Sequence, residues 1–174
     1  MLTDIFLIRH GAPQNNTGVE YRVMPGPPLS EKGRAEARQA AAFLADKELQ
    51  YLFVSPFERA VQTAEQIVAA LDVPVMFTEL IQECHPQESL VQVRHRVSEF
   101  LAALQDSPFR RVALVSHGAP IGEMLRELSD DQIDLSKHSY DISRNCAPTA
   151  GIWHASRGSR SWQLSLVFQP DAKP

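Results

Sequence analysis

The chain has 174 residues, a formal net charge of −4 and a sequence pI near 5.8, with 44% hydrophobic and 22% charged residues. That length suits one domain, 1–174, with a core of its own, and the acidic balance excludes a chain-wide cationic field for nucleic acid. Every apolar run falls short of the ~18 residues that a membrane helix needs, and two distant cysteines, Cys84 and Cys146, make neither a disulfide framework nor a metal-ligand spacing. Met1-Leu2-Thr3-Asp4 lacks the basic and long apolar segments of a leader. The expectation is a cytoplasmic protein with no membrane or nucleic-acid partner.

In chain order, Ile5–Ile8 reads as a buried strand. It ends in Arg9-His10-Gly11: a cation, an imidazole and a residue that permits a tight turn or close approach to a ligand. Either the strand delivers an anion-binding pair to a sheet mouth, or its charges simply meet water. Residues 12–28, marked by Pro and Gly, read as loop. Ser30 then predicts the N-cap of a helix running to about Asp46, with Ala37, Ala40, Ala41 and Leu44 on one face. Tyr51–Val54 is a second strand. After it, Ser55, Pro56 and Glu58 occupy the N-cap, N1 and N3 positions of a capping box, opening a helix that buries Ala60, Ala64, Ile67, Val68 and Leu71. Arg59 lies in the first turn, where the helix dipole disfavours a cation, so an anion is expected beside it.

Val73–Phe77 is a weaker strand, followed by a loop over residues 79–86. A helix from about Glu88-Ser89 to Asp106 carries Leu90, Val93, Val97, Leu101 and Leu104 at helical spacing. Val112–Val115 is a third clear strand, and its ending, Ser116-His117-Gly118, repeats the pattern of the first. A helix from about Pro120 buries Ile121, Leu125 and Leu128, and residues 129–143 read as polar loop. Ile152–Ala155 and Trp162–Phe168 close the chain around a hairpin turn, Arg157-Gly158-Ser159-Arg160, before a fraying tail from Gln169 to Pro174. Strands alternating with helices predict a largely parallel α/β sheet. Ligands of such sheets bind beyond the carboxyl ends of the strands. That rule gathers Arg9, His10, Ser55, Arg59 and His117 at one edge.

Two arginines converging on one point call for an anion between them, and guanidinium forks suit phosphate. The chain has no P-loop and no dinucleotide fingerprint. A neutral imidazole can attack phosphorus. Cationic neighbours keep it unprotonated and stabilise the charge of the transition state. A carboxylic acid is also needed, to protonate the leaving oxygen and then take the proton of an attacking water.

These residues resemble the histidine phosphatase superfamily, also called phosphoglycerate mutase-like. Arg9-His10-Gly11 matches its signature triplet, with Asn16 following where its asparagine does, and Leu29-Ser30-Glu31-Lys32-Gly33 is similar to the segment opening its first helix. The run Ser55-Pro56-Phe57-Glu58-Arg59-Ala60-Val61-Gln62-Thr63-Ala64 matches its S-P-x-x-R-A-x-Q-T-A block. Glu88-Ser89-Leu90 with Arg96, Ser116-His117-Gly118 and Asn145-Cys146 are like its later blocks. The resemblance implies a three-layer α/β/α sandwich with a mostly parallel central sheet. It implies His10 as phosphoryl acceptor, Arg9, Arg59 and His117 on the phosphoryl oxygens, Asn16 and Gly11 completing the phosphate-binding set, and no metal or organic cofactor. Ile81-Gln82-Glu83 resembles the family's L-x-E and implies Glu83 as acid and base, with Glu79 and Glu88 as alternatives. Metal ligation by His10, Glu83 and His117 is disfavoured by the arginines.

The chain departs from the family in two places. Only Cys84-His85-Pro86-Gln87 separates Glu83 from Glu88, where larger members carry a long insertion, and residues 24–28 lack an acidic residue common there. A trimmed lid implies a pocket open to water. The expected activity is therefore hydrolysis of phosphate monoesters, on a small phosphorylated metabolite or a phosphoprotein, through phosphohistidine. The alternatives are a phosphoglycerate-type mutase, which needs a closed pocket, and a weakly active phosphate-ligand-binding scaffold. A homodimer is compatible with the faces left free. His85, His95, His138 and His154 read as surface or packing residues, and Trp153 and Trp162 as packing for the last strands.

Overall fold

Six strands form one sheet in the computed structural model, which describes residues 1–159 and 161–171. Arg160 of the predicted hairpin turn and residues 172–174 of the predicted tail lie outside the described residues. The strands are β1 (Asp4–Arg9), β2 (Tyr51–Val54), β3 (Val75–Phe77), β4 (Arg111–Ser116), β5 (Ile152–Arg157) and β6 (Trp162–Phe168), in the order β3-β2-β4-β1-β5-β6. The first four are parallel, and β5 and β6 add an antiparallel edge. Four helices connect them: α1 (Glu31–Leu44), α2 (Glu58–Leu71), α3 (Leu90–Gln105) and α4 (Gly118–Leu128). None of the described helices is long and apolar enough to cross a membrane.

Alternate residues of the central strands feed two cores. Phe6, Ile8, Ala113 and Val115 pack with Ala40, Leu44, Ala60 and Ile67 of α1 and α2. Ile5, Leu7, Val112 and Leu114 pack with Val93, Val97, Ile121 and Leu125 of α3 and α4. Both faces of β1 and β4 are thus covered, which is why these strands read as continuous apolar runs. The result is a three-layer α/β/α sandwich. On β6, at the sheet edge, half-buried and exposed residues alternate instead.

Ser30 caps α1 as predicted, its hydroxyl accepting from the Gly33 N–H at 3.0 Å. A side chain on Gly11 would overlap the Gly33 carbonyl, and one on Gly33 would overlap Ala12. These two glycines let the start of α1 press against the end of β1, beside His10. The capping box predicted at Ser55 does not form. Phe57 is the N-cap of α2, without a side-chain cap, and the Ser55 hydroxyl faces His117 instead. The hydroxyl keeps a longer local bond as well, accepting from the Phe57 N–H at 3.4 Å. Val68 and Leu71 are only half-buried on α2, whereas Arg59 and Thr63 are fully buried. α4 begins at Gly118, two residues before the predicted start.

Candidate active site

Sheet register brings the two histidines together. β1 and β4 are parallel neighbours with Arg9 opposite Ser116, so the next residues, His10 and His117, leave the sheet side by side. Their rings lie 5.1 Å apart. On the other side of β4, Val54 pairs with Val115, so Ser55 leaves β2 next to His117. The Ser55 hydroxyl and His117 Nε2 are 2.7 Å apart.

His10 is fully buried. Its Nδ1–H donates to the Gly11 carbonyl at 2.7 Å, and this fixes the tautomer that leaves Nε2 with a lone pair. Arg59 Nε–H donates to that nitrogen at 3.1 Å. Burial, and then the charges of Arg59 and Arg9, push His10 well below the usual histidine range. His117 is lowered well below that range by burial first, and then by Arg59, His10, Arg9 and Arg96. Both imidazoles are therefore neutral at physiological pH.

Arg59 also buries completely, and each of its nitrogens has a partner. Nη2 meets Glu83 Oε2 at 3.0 Å, and Nη1 donates to the Tyr21 carbonyl at 3.1 Å. Glu83 supplies a negative charge to this arginine from within the chain. Its other oxygen accepts from the Cys84 N–H at 2.9 Å, while Oε2 lies 3.4 Å from His117 Nδ1. The carboxylate is thus held within reach of both histidines. Glu79 is exposed, and Glu88 is bound to Arg96 at 2.7 Å, so neither alternative reaches the site.

Two buried nitrogens at this edge have no hydrogen-bond partner among the described residues: Arg9 Nε, a donor, and His117 Nδ1, whose nearest acceptor is Glu83 Oε2 at 3.4 Å. The rest of the Arg9 guanidinium is occupied. Nη1 donates to the Ala147 carbonyl at 2.8 Å, and Nη2 pairs with Asp141 at 2.8 Å. Asp141 is in turn held by Asn145 Nδ2 at 2.7 Å. An unpaired buried donor is costly, and the Arg9 and Arg59 guanidiniums at one sheet edge suit a tetrahedral oxyanion.

The loop after β1 covers the site. The Tyr21 hydroxyl stands 3.3 Å from His10 Nε2, and its ring lies against the Arg59 guanidinium, 4.1 Å from Cζ to centroid. Arg22 fastens the loop across the acid segment, donating to the Cys84 carbonyl at 2.6 Å, to Cys84 Sγ at 3.0 Å and to the His85 carbonyl at 2.8 Å. The open pocket expected from the trimmed insertion is thus corrected, because a different loop does the covering. The sequence reading missed Tyr21, although it is the only aromatic residue in the polar stretch 12–28. It missed Asp141 too, for which only an acid four residues before Asn145 offers a signal.

Two members of the expected phosphate-binding set stand elsewhere. Gly11 has its N–H on Thr63 Oγ1 at 3.0 Å and its carbonyl on His10, so it positions the imidazole rather than presenting a donor. Asn16 is exposed with φ 57°, a left-handed turn that points the chain away, and its neighbour Asn15 lines the cleft. The histidines set aside behave as packing or surface groups. His154 stacks on Phe6 and meets Asp4 at 2.8 Å, His138 packs on Trp153, and His85 and His95 are exposed. Ligand atoms of His10, Glu83 and His117 lie within 4.8 Å of one another, a spacing that can hold a cation. Arg59, 3.1 Å from His10 and 3.0 Å from Glu83, already places a positive charge between two of the three.

Sequence comparison agrees with this geometry. The model of the histidine phosphatase superfamily, branch 1, matches residues 5–87 and 80–163. The chain belongs to the histidine phosphatase superfamily. Within this superfamily it is 25% identical over 163 residues to the phosphohistidine phosphatase SixA of Escherichia coli, covering 92% of each protein. It is 40% identical over 73 residues to the uncharacterized protein Rv0525 of Mycobacterium tuberculosis, a match to 42% of this chain that spans 36% of that protein's length. The fold is that of a mycobacterial glucosyl-3-phosphoglycerate phosphatase solved with VO3, with a TM-score of 0.75 at 21% identity over 94% of this chain and 98% of that one.

Proposed function

We propose that this superfamily member is a metal-independent phosphomonoesterase of the cytoplasm, acting on a small phosphorylated metabolite or a phosphorylated protein side chain through a phosphohistidine on His10. The observation that carries the reading is the bond from His10 Nδ1–H to the Gly11 carbonyl, which leaves an unprotonated Nε2 beside Arg59 Nε, with the His117 ring 5.1 Å away. A phosphoryl group entering there competes with Glu83 for Arg59. As Arg59 turns to the phosphoryl oxygens, Glu83 is released to carry a proton. Nε2 attacks phosphorus while the bond to the leaving oxygen breaks, and Glu83 protonates that oxygen. Water then attacks the phosphohistidine and Glu83 takes its proton. The N–P bond breaks, and phosphate and neutral His10 are returned. Arg9, Arg59 and His117 offset the charge on the equatorial oxygens in both steps.

The test is phosphate release from p-nitrophenyl phosphate. Turnover should persist in EDTA and disappear in His10→Ala; full activity in His10→Ala would overturn the reading. One observation favours a mutase as a second reading: Tyr21 covers His10, and a mutase must shield its phosphoenzyme from water. A mutase would interconvert phosphoglycerates with little free phosphate.

A further inference from the structure

Glu83 lies in an irregular segment: residues 82–89, between a short 3-10 turn at Glu79–Ile81 and α3, belong to no helix or strand. A carboxylate there is placed only as well as its backbone is held. Side chains from three other elements do the holding. Ser116 Oγ, at the end of β4, donates to the Ile81 carbonyl at 2.7 Å. Arg96, on α3, donates to the Leu80 carbonyl at 2.8 Å and to the Glu83 carbonyl at 3.4 Å. Beyond the acid, the Cys84 and His85 carbonyls accept from Arg22 Nε and Nη2, at 2.6 and 2.8 Å.

Ser116 and Arg96 sit on regular elements packed into the domain. Arg22 instead belongs to the loop that carries Tyr21 across His10, and it is exposed. Its attachment is nonetheless specific. Cys84 holds Glu83 through its N–H, 2.9 Å from Oε1, and is itself held by Arg22 through its carbonyl. Tyr21, the residue before, takes Arg59 Nη1 on its own carbonyl. Two consecutive residues of one loop therefore brace both members of the Arg59–Glu83 pair. Spanning two successive carbonyls takes the rigid fork of a guanidinium, which the point charge of a lysine lacks.

We propose that Arg22 is a positioning residue for the acid and base: closing the Tyr21–Arg22 loop over His10 fixes the backbone of Cys84, and through it the Glu83 carboxylate. Proton transfer is thereby coupled to coverage of the nucleophile. This rests on the phosphomonoesterase reading above. With the loop detached, the acid segment keeps Ser116 and Arg96 on its near side but has lost its brace beyond Glu83.

Aryl phosphates graded in leaving-group basicity test this, because dinitrophenolate leaves without a proton and phenolate needs one. In Arg22→Ala, kcat/KM for phenyl phosphate should fall about tenfold or more, a part of the ~10²–10⁴-fold that a placed acid contributes, while dinitrophenyl phosphate loses less than about threefold. Arg22→Lys should recover part of the phenyl phosphate rate. In Glu83→Gln, which has no acid to place, adding Arg22→Ala should cost both esters equally. An equal loss on every ester in Arg22→Ala alone would assign the residue to substrate binding or to folding and overturn the inference, as would an undiminished rate on phenyl phosphate. Hydrogen exchange at the Cys84 amide, which is bonded to the Glu83 carboxylate, gives the comparison without turnover and should be faster in Arg22→Ala. If the wild-type protein hydrolyses no ester but this exchange still quickens, the phosphatase reading fails and the brace stands. If esters are hydrolysed and neither the exchange nor the leaving-group dependence moves, the brace fails alone.

Discussion

Arg59 and Glu83 hold each other in the space beside the reactive imidazole: Nη2 and Oε2 are 3.0 Å apart, and the arginine's Nε is 3.1 Å from His10 Nε2. The pair is buried, so each charge faces its partner rather than water. Arg59→Ala should lower kcat/KM by about 100- to 1,000-fold through loss of a fixed donor. It should also destabilise the fold by about 3–5 kcal/mol, because Glu83 is left buried without its cation. Steady-state kinetics and urea unfolding check the two effects. Loss of activity with unchanged stability would mean that Glu83 finds another partner.

The depressed histidines make a prediction about pH. Above about pH 6.5 both imidazoles are neutral in the folded and the unfolded chain, and their contribution to stability is complete. As pH falls below that value, the unfolded chain binds protons that the fold refuses. Stability is then lost by up to about 1.4 kcal/mol per pH unit for each histidine, until the lowered folded value is reached. Urea midpoints should fall between about pH 7 and pH 5.5, and His10→Asn should make the fall shallower. The same shift keeps the nucleophile active in acid, so kcat/KM should show no acid limb centred near pH 6.5. A limb at that value would mean that His10 titrates as if solvated.

Ser55→Ala tests whether the hydroxyl serves His117 or the helix. It removes the 2.7 Å partner of Nε2, so His117 loses its orientation and kcat should fall about tenfold. Because the only bond from Ser55 Oγ to the start of α2 is the long one from the Phe57 N–H, at 3.4 Å, the helix itself should keep most of its stability. Hydrogen exchange of the first turn of α2 distinguishes the outcomes: fast exchange there, with kcat intact, would restore the capping role.

The capping role was the natural reading of the sequence, and its failure shows where local rules stop. Ser-Pro-x-Glu satisfies every requirement of a capping box, but only the parallel pairing of β2 with β4 shows that a histidine stands next to that serine. Where the periodicity is strong the sequence reading holds. Ile5–Ile8 and Val112–Val115 are apolar throughout because helices cover both faces, and their ends carry His10 and His117 to one point. Glu83 was legible through its likeness to a family motif, and the pairing with Arg59 explains why an acid belongs there. Tyr21, Asp141, and the placements of Asn16 and Gly11 were not legible, because long-range contacts rather than local spacing fix those segments.

Tyr21→Ala removes the cover from the nucleophile. His10, fully buried beneath a tyrosine that is itself 38% exposed, should become modified by diethyl pyrocarbonate at least several-fold faster. Tyr21→Phe keeps the ring on Arg59 and should retain most of the protection. Peptide mapping by mass spectrometry gives the rate at His10 itself. Equal rates in the wild-type and alanine proteins would show that the loop does not shield the site.

The most direct measurement is a rapid quench of Glu83→Gln with 32P-labelled p-nitrophenyl phosphate, followed by mapping of the labelled peptide. An acid/base that cannot take the proton of water should slow discharge of the intermediate while an activated leaving group still lets it form. The expected result is a base-stable, acid-labile label on His10, absent when His10 is replaced. Label on a serine or cysteine, or turnover with no covalent adduct at any time point, would contradict a phosphohistidine mechanism.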